Sequence, residues 1–344
     1  MIEPVQIKAQ VIARSQALGF AECRITAALP AAHRALYDQW IAEGKHGDMA
    51  WMARDPERRT DPRLVLPGAQ SIIVVCLSYF QGSEVPATDY RIARYAWHND
   101  YHDLMTARLK ELTALLESHG GIQRPYVDTG PMLERDFASE AGLGWNGKST
   151  MQIHPKHGTW FFLGEILTTL ALPSDSGAKD RCGSCTRCIT ACPTSAITAP
   201  HRLDARRCVS YLTIESKGTI PVEFRRAIGN RLYGCDDCLD ACPWNRFAAD
   251  SREATFQARE SVFSQKLTDF LQLTDESFRQ LFKGSPIKRI KRPAFLRNVC
   301  VVLGNVGTPN DLPALHSAAE DPHPLIAEHA QWAVEEIKKR DHAV

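Results

Sequence analysis

Apolar residues recur along the chain with two different periods. Between Asp100 and Ser118 they fall at Met105, Leu109, Leu112 and Leu116, spaced 4, 3 and 4, with Gly120-Gly121 beyond the end. That is the stripe of an amphipathic helix. Pro4 to Ala17 repeats the pattern through Ile7, Val11 and Leu18 and stops at Gly19. Ser71 to Phe80, entered from Pro67-Gly68, is instead an unbroken β-branched run, as expected of a strand covered on both faces. Thr159 to Leu172 has the same composition. Pro125-Tyr126-Val127 reads as a short strand ending at Asp128, followed by Thr129-Gly130 and a helix that opens with Pro131 in its first turn and runs to Ala141. This order puts Asp128 at the carboxyl mouth of a strand, where ligands tend to sit in sheets flanked by helices.

Pro173 to Lys179 is small, polar and Pro/Gly-bearing and marks a boundary. The expected fold is α+β. Residues 1–175 form a mixed α/β domain, 176–250 a two-cluster domain like a bacterial ferredoxin, and 251–344 a helical segment. In the last, Leu296 to Ile337 shows two helix patterns around Gly304, Pro309 and Pro313, similar to a single HEAT-like repeat that must dock on its neighbour to bury its face.

Charge adds little in bulk and something locally. The 344 residues carry 41 Lys+Arg and 40 Asp+Glu, a formal charge of +1, so no overall field draws the protein to nucleic acid or membrane. No apolar run approaches the length of a bilayer span. The N-terminus lacks a basic segment followed by an apolar one, so a reducing cytoplasm and a monomer are expected. Only Lys283 to Arg297 stands out, with Lys283, Lys288, Arg289, Lys291, Arg292 and Arg297 and no acid.

Eight of the 11 cysteines lie between Cys182 and Cys242. Cys182, Cys185, Cys188 and Cys192-Pro193 spell CxxCxxCxxxCP, and Cys235, Cys238 and Cys242-Pro243 spell CxxCxxxCP. In the ferredoxin pattern three close thiolates hold one 4Fe-4S cubane and the fourth reaches to the other. That rule assigns Cys182, Cys185, Cys188 and Cys242 to one cluster and Cys192, Cys235 and Cys238 to the second, whose open position falls to Cys208. Disulfides would need an oxidising compartment, and zinc does not account for the third cysteine at the same gap or for the two CP steps. Cys23, Cys76 and Cys300 sit among apolar residues and read as packing. Two one-electron centres form a wire, and the 175 residues before them must hold its terminus.

Gly142 to Ser149 matches GxGxxG and GxxxxGK[ST] literally. Both need a strand before the loop and a helix after it, and the order here is reversed. Asp128 has two readings: a cap for the next helix, or an acid that protonates an oxygen leaving group from a desolvated pocket.

The segments ERRTDPRLVLPGAQSI (Glu57 to Ile72), DYH (Asp100 to His102), VDTGPMLER (Val127 to Arg135), GLGWNGKST (Gly142 to Thr150), FFLGEI (Phe161 to Ile166) and RLYGCDDCLDACPWNRF (Arg231 to Phe247) together resemble the epoxyqueuosine reductase family. The resemblance implies a cobalamin and 4Fe-4S oxidoreductase that reduces an epoxide on a modified base of a tRNA anticodon to an alkene, releasing water. It makes Asp128 the proton donor. Cobalamin contacts would come from Arg58, Tyr101, Trp145, Lys148, Ser149, Thr150, Gln152 and Gly164, and the six basic residues would touch tRNA. Electrons would enter from an external low-potential donor. Two departures are visible: Ser149 stands where the family commonly has Asn, and Met105 stands where an AspxHisxxGly motif starting at Asp100 would need Gly, so no His of that kind ligates cobalt. The rival readings are a reductive dehalogenase-like enzyme acting on an organohalide, and a non-catalytic two-cluster electron carrier.

Overall fold

The computed structural model describes residues 3–82, 84–251 and 253–342. Its first unit is a four-stranded sheet in the order β1 (Glu22–Ala27), β2 (Ser71–Ser78), β4 (Phe161–Thr168), β3 (Gln123–Tyr126). Every neighbouring pair is antiparallel. The mouth expected from parallel sheets is therefore absent, although Asp128 still follows directly on the end of β3. All eight residues of β2 and of β4 are buried, because helices cover both sides of the sheet. Helix α1 (Pro4–Ala17) and helix α2 (Tyr101–Glu117) lie on one face; Met105, Leu109, Leu112 and Leu116 of α2 join Ile73, Val75, Phe162 and Ile166 there. On the other face, Phe137 and Ala138 of α3 (Glu134–Glu140) meet Ile72, Val74, Leu163 and Leu167.

The helix expected to open at Pro131 starts instead at Glu134, with Leu133 in the cap position. Residues 127–133 form an irregular loop, so Asp128 caps nothing. The helix of residues 101–117 follows the apolar stripe, and the Asp100 carboxylate caps it by accepting from His102 N at 3.1 Å.

The segment read as a linker is pinned along the first unit. Asp175 accepts from Ile25 N at 2.9 Å and pairs with Lys8 at 2.7 Å, and Ala178 N donates to Ser139 O at 3.0 Å. Beyond it, α4 (Arg187–Ala191) packs against α5 (Asp237–Asp240), bringing the two cysteine runs side by side. The tail is helical through α6 (Lys291–Val306), α7 (Leu312–Ala319) and α8 (Pro324–Asp341). Its core is shared: Tyr90, Ile92, Trp97, Leu232 and Tyr233 pack with Phe270, Phe295, Val299 and Ile326. Arg91–Ile92 and Arg231–Tyr233 pair as parallel strands within it. No described helix is long and apolar enough to cross a membrane.

Candidate active site and cysteine centres

Asp128 adopts φ 56°, the left-handed region that costs a residue with a Cβ about 1 kcal/mol or more and recurs at functional sites. The turn is held by Gly130, where a Cβ would come within 2.7 Å of the Tyr126 ring. Its carboxylate accepts from the Tyr101 hydroxyl and lies 3.7 Å from His102 Nε2. Burial first, then the charge of Asp128, raises the Tyr101 pKa above its ordinary value, so this phenol acts as a donor. Burial opposes a charged His102, but the Asp100 hydrogen bond at 2.7 Å and the Asp100 and Asp128 charges outweigh it and lift the His102 pKa.

An aromatic series joins this corner to the cysteines. Tyr101 stacks on Phe162 at 3.7 Å and Phe162 on Tyr79 at 4.5 Å, and the Tyr79 hydroxyl feels the charge of Cys238.

The fold gathers the eight cysteines into two sets of four. Cys242 feels the charges of Cys182, Cys188 and Cys185; Cys238 feels those of Cys208, Cys235 and Cys192. Burial, and then acidic or thiolate neighbours, pushes Cys235 to about 12 and Cys242 to about 11. Thiolates collected this way need cations among them, which iron supplies. Among the described residues no three or more His, Cys, Asp or Glu could hold one metal ion. A cubane, ligated through four separate irons, does not need such convergence on one point. One backbone amide already points at a sulfur: Ala196 N lies 3.2 Å from Cys192 Sγ. Cys23 and Cys300, held near 12 by burial, and Cys76, raised further, stay un-ionised in the core.

The glycine-rich segment is a hairpin, Trp145–Asn146 against Gln152–Ile153, with no helix after it, so it is no phosphate loop. Three expected cofactor contacts are otherwise engaged. Lys148 Nζ donates to Gly183 O and, at 3.0 Å, to Cys185 O. Gln152 bonds Ser139 at 3.3 Å. A Cβ on Gly164 would meet Met105 and Leu109 at 3.0 and 3.2 Å, so this glycine admits α2 to the sheet and not a ligand. The Ser149 hydroxyl proton, the Thr150 hydroxyl and the exposed Arg58 guanidinium have no protein acceptor among the described residues, and Trp145 is buried against Trp244. A cavity of about 440 Å³ borders Gly142, Gly144 and Trp145 but does not reach Asp128.

The basic run divides. Arg297 is fully buried and donates to Leu212 O, Ser216 O and Gly218 O at 2.7–2.8 Å, so it is an internal strut and not a phosphate contact. Arg292 is turned inward to Asp321 at 2.6 Å. Lys283, Lys288, Arg289 and Lys291 remain on the surface. Arg289 pairs with Glu215 at 2.7 Å beside Tyr101, and Asp100 N donates to Gly284 O, which places this surface next to the Asp128 corner.

The chain is similar to known proteins along nearly all its length. A family model described as epoxyqueuosine reductase QueG, DUF1730, matches residues 59–129, and a 4Fe-4S double cluster binding domain matches 181–245. The epoxyqueuosine reductase of Xanthomonas campestris is 42% identical, covering 96% of both chains, and that of Escherichia coli is 38% identical over 94% of this chain and 88% of its own. The chain belongs to the epoxyqueuosine reductase family. A crystal structure of an epoxyqueuosine reductase with an epoxyqueuosine-modified tRNA stem loop superposes with a TM-score of 0.91 at 31% identity, over 99% of this chain and 92% of that one. The Bacillus subtilis reductase, at TM-score 0.88 and 31% identity over 97% and 91%, is described with its catalytic aspartate loop swung out of the active site.

In this reductase fold the sequence reading missed two residues beside Asp128. Glu134 is a partly buried carboxyl and Glu165 a fully buried one, and the charge of Asp128 acts on both. A signal existed for the second, since Glu165 is the lone charge in an otherwise apolar strand.

Proposed function

We propose that the protein reduces epoxyqueuosine to queuosine in a tRNA anticodon, taking two electrons and two protons and releasing water. Family membership supports the substrate, and the reading is carried by one observation: Asp128, hydrogen-bonded by Tyr101, stands at the end of the stack that starts beside the Cys238 set. Cys182, Cys185, Cys188 and Cys242 hold one 4Fe-4S cluster and Cys192, Cys208, Cys235 and Cys238 the other, so single electrons from an external low-potential donor travel inward.

Cobalamin belongs to this reading through the family resemblance. The residues fit it in part: the free hydroxyls of Ser149 and Thr150 and the Arg58 guanidinium suit an amide-rimmed ring, whereas Lys148, Gln152 and Gly164 serve the protein itself. When bound, the group supplies a cobalt centre at which single electrons are collected in pairs. The chain's own part is to hold and move protons. Tyr101 fixes one oxygen of Asp128, leaving the other to protonate the epoxide oxygen, and the half-exposed carboxyl lies where a base swung out of an anticodon loop can reach it. Lys283, Lys288, Arg289 and Lys291 beside that mouth supply phosphate contacts.

Asp128→Asn tests the reading. With anaerobic, cobalamin-loaded protein and epoxide-bearing tRNA stem loop, the turnover seen by nucleoside mass analysis should fall on the order of 10²–10⁴-fold, with iron content and stem-loop affinity kept. Unchanged turnover would remove Asp128 from the chemistry, and an inert wild type would remove the function.

A further inference from the structure

Behind Asp128 lie two acids that the reaction as described does not use. Glu165 sits in the middle of β4, paired with Val74 on one side and Tyr126 on the other. It is 0% exposed, and neither carboxyl oxygen has a hydrogen-bond partner among the described residues. Leu163 and Leu167 flank it on the same face, in a core with Met132 and Phe137. Glu134 begins the helix above that face. One of its oxygens is buried without a partner among the described residues, and the charges of Glu165 and Asp128 both act on its carboxyl.

Among the described residues no cation pairs with Glu165. Asp128 and Glu134 come from the loop and helix above. β2 presents Cys76, whose thiol burial keeps un-ionised, and β3 presents Tyr126 and Arg124, the guanidinium of which donates to Val65 O at 3.2 Å. An unpaired carboxylate here would cost several kcal/mol, so the proton stays on. Burial and the Asp128 charge carry Glu165 from its ordinary 4.5 to about 8, and Glu134 is raised by burial and by both neighbouring carboxyls. Neighbouring carboxyls in a desolvated corner cannot all ionise, so a proton stays among them.

We propose that Glu134 and Glu165 are a buried proton store that recharges Asp128 between the two protonations of the reaction. This rests on the reading of Asp128 as donor. Opening an epoxide to an alkene takes two electrons and two protons, and one carboxyl carries one proton. Asp128 gives its proton to the epoxide oxygen as the first C–O bond breaks and a hydroxyl forms. Glu134 then passes its proton to the Asp128 carboxylate, and Asp128 delivers it to the hydroxyl, which departs as water when the second C–O bond breaks. Glu165 reprotonates Glu134, and the store refills from water through Asp128 and the partly exposed His102. The two electrons come from the low-potential donor through the clusters.

Glu134→Gln and Glu165→Gln keep shape and hydrogen bonding but carry no transferable proton. Glu134→Gln should lower kcat on the order of 10²-fold with KM unchanged, and Glu165→Gln should remove the fall of kcat above about pH 8. Glu134→Asp should restore part of the rate. Two readouts need no turnover. In the full-length reconstituted protein, the infrared carbonyl stretch of a protonated, D₂O-sensitive carboxylic acid should be present at neutral pH and weaken in Glu165→Gln. The sign of the stability effect also follows. The folded Glu165 keeps its proton between 4.5 and about 8 while the unfolded chain loses it. Its contribution is therefore full below that window and is lost as pH rises through it. The melting temperature of Glu165→Gln should thus decline less than that of wild type between about pH 5 and 8. If both Gln variants keep wild-type kcat and pH profiles while Asp128→Asn is inactive, the store is wrong and the functional reading stands. If the carboxylic band is missing from wild type, the store is wrong whatever the rates. A wild type that converts no epoxide overturns the function, and the store with it.

Discussion

The two cysteine runs share a spacing and sit in opposite surroundings. Around Cys182, Cys185 and Cys188 the intervening Gly183, Ser184, Thr186 and Arg187 are exposed, whereas Cys235 and Cys238 are bracketed by buried Leu232, Tyr233, Gly234, Asp236 and Leu239. The outer run is steadied from outside by Lys148, which holds the carbonyls of Gly183 and Cys185. The inner run is built into the sheet side, with Cys238 close to Tyr79 and the stack toward Asp128. Ligand spacing thus sets which metal group is held, while the flanking residues set which end of the wire it becomes. Low solvent exposure and N–H···S bonds tune the potential of such a centre, so the inner and outer centres need not be equivalent.

The strongest way to break this comparison is Cys238→Ser. It should abolish turnover, and iron should fall from about eight per chain toward four; a variant that still reduces substrate would show that the inner centre is not on the route. Next comes Arg297→Met, which leaves the buried carbonyls of Leu212 and Ser216, and the more exposed one of Gly218, without that donor. Stability should drop by about 2 kcal/mol, read as a lower denaturation midpoint, with stem-loop affinity unchanged in protein that remains folded. Lys291→Ala is its counterpart from the same run: stability kept, and the salt dependence of RNA binding reduced by about one unit of slope. Smallest is Lys148→Ala, which should loosen the outer run alone. Faster loss of about half the iron on exposure to air, with turnover initially reduced only a few-fold, would fit that role; equal loss from both centres would erase the distinction between them.

How far the sequence could be read depended on how local the cause was. The helix of residues 101–117 and the strand of residues 71–78 were legible because their stripes, caps and β-branched runs act within a few residues. The two-cluster character of residues 181–245 was legible because ligand spacing is itself local. Arg297 was not, since only the approach of carbonyls some 80 residues away turns a basic residue into a strut. Gly164 failed for a similar reason: α2, distant in sequence, decides what its missing Cβ makes room for. The delayed start of α3 hid the geometry of Asp128, whose left-handed turn rests on Gly130 folding over Tyr126. Glu134 gives no local sign at all, because a glutamate in the first turn of a helix is an ordinary occupant there.

The exchange of Cys192 and Cys242 between the runs has a consequence for how the molecule is made. In the assignment proposed above, each thiol leaves its own stretch of chain to complete the set formed by the other, which the charges acting on Cys238 and Cys242 support. A nascent polypeptide that has emerged only as far as residue 230 contains five of the eight sulfurs yet has neither foursome. On that assignment iron insertion would wait on translation of both halves, and a protease cut followed by loss of either fragment would empty both centres together.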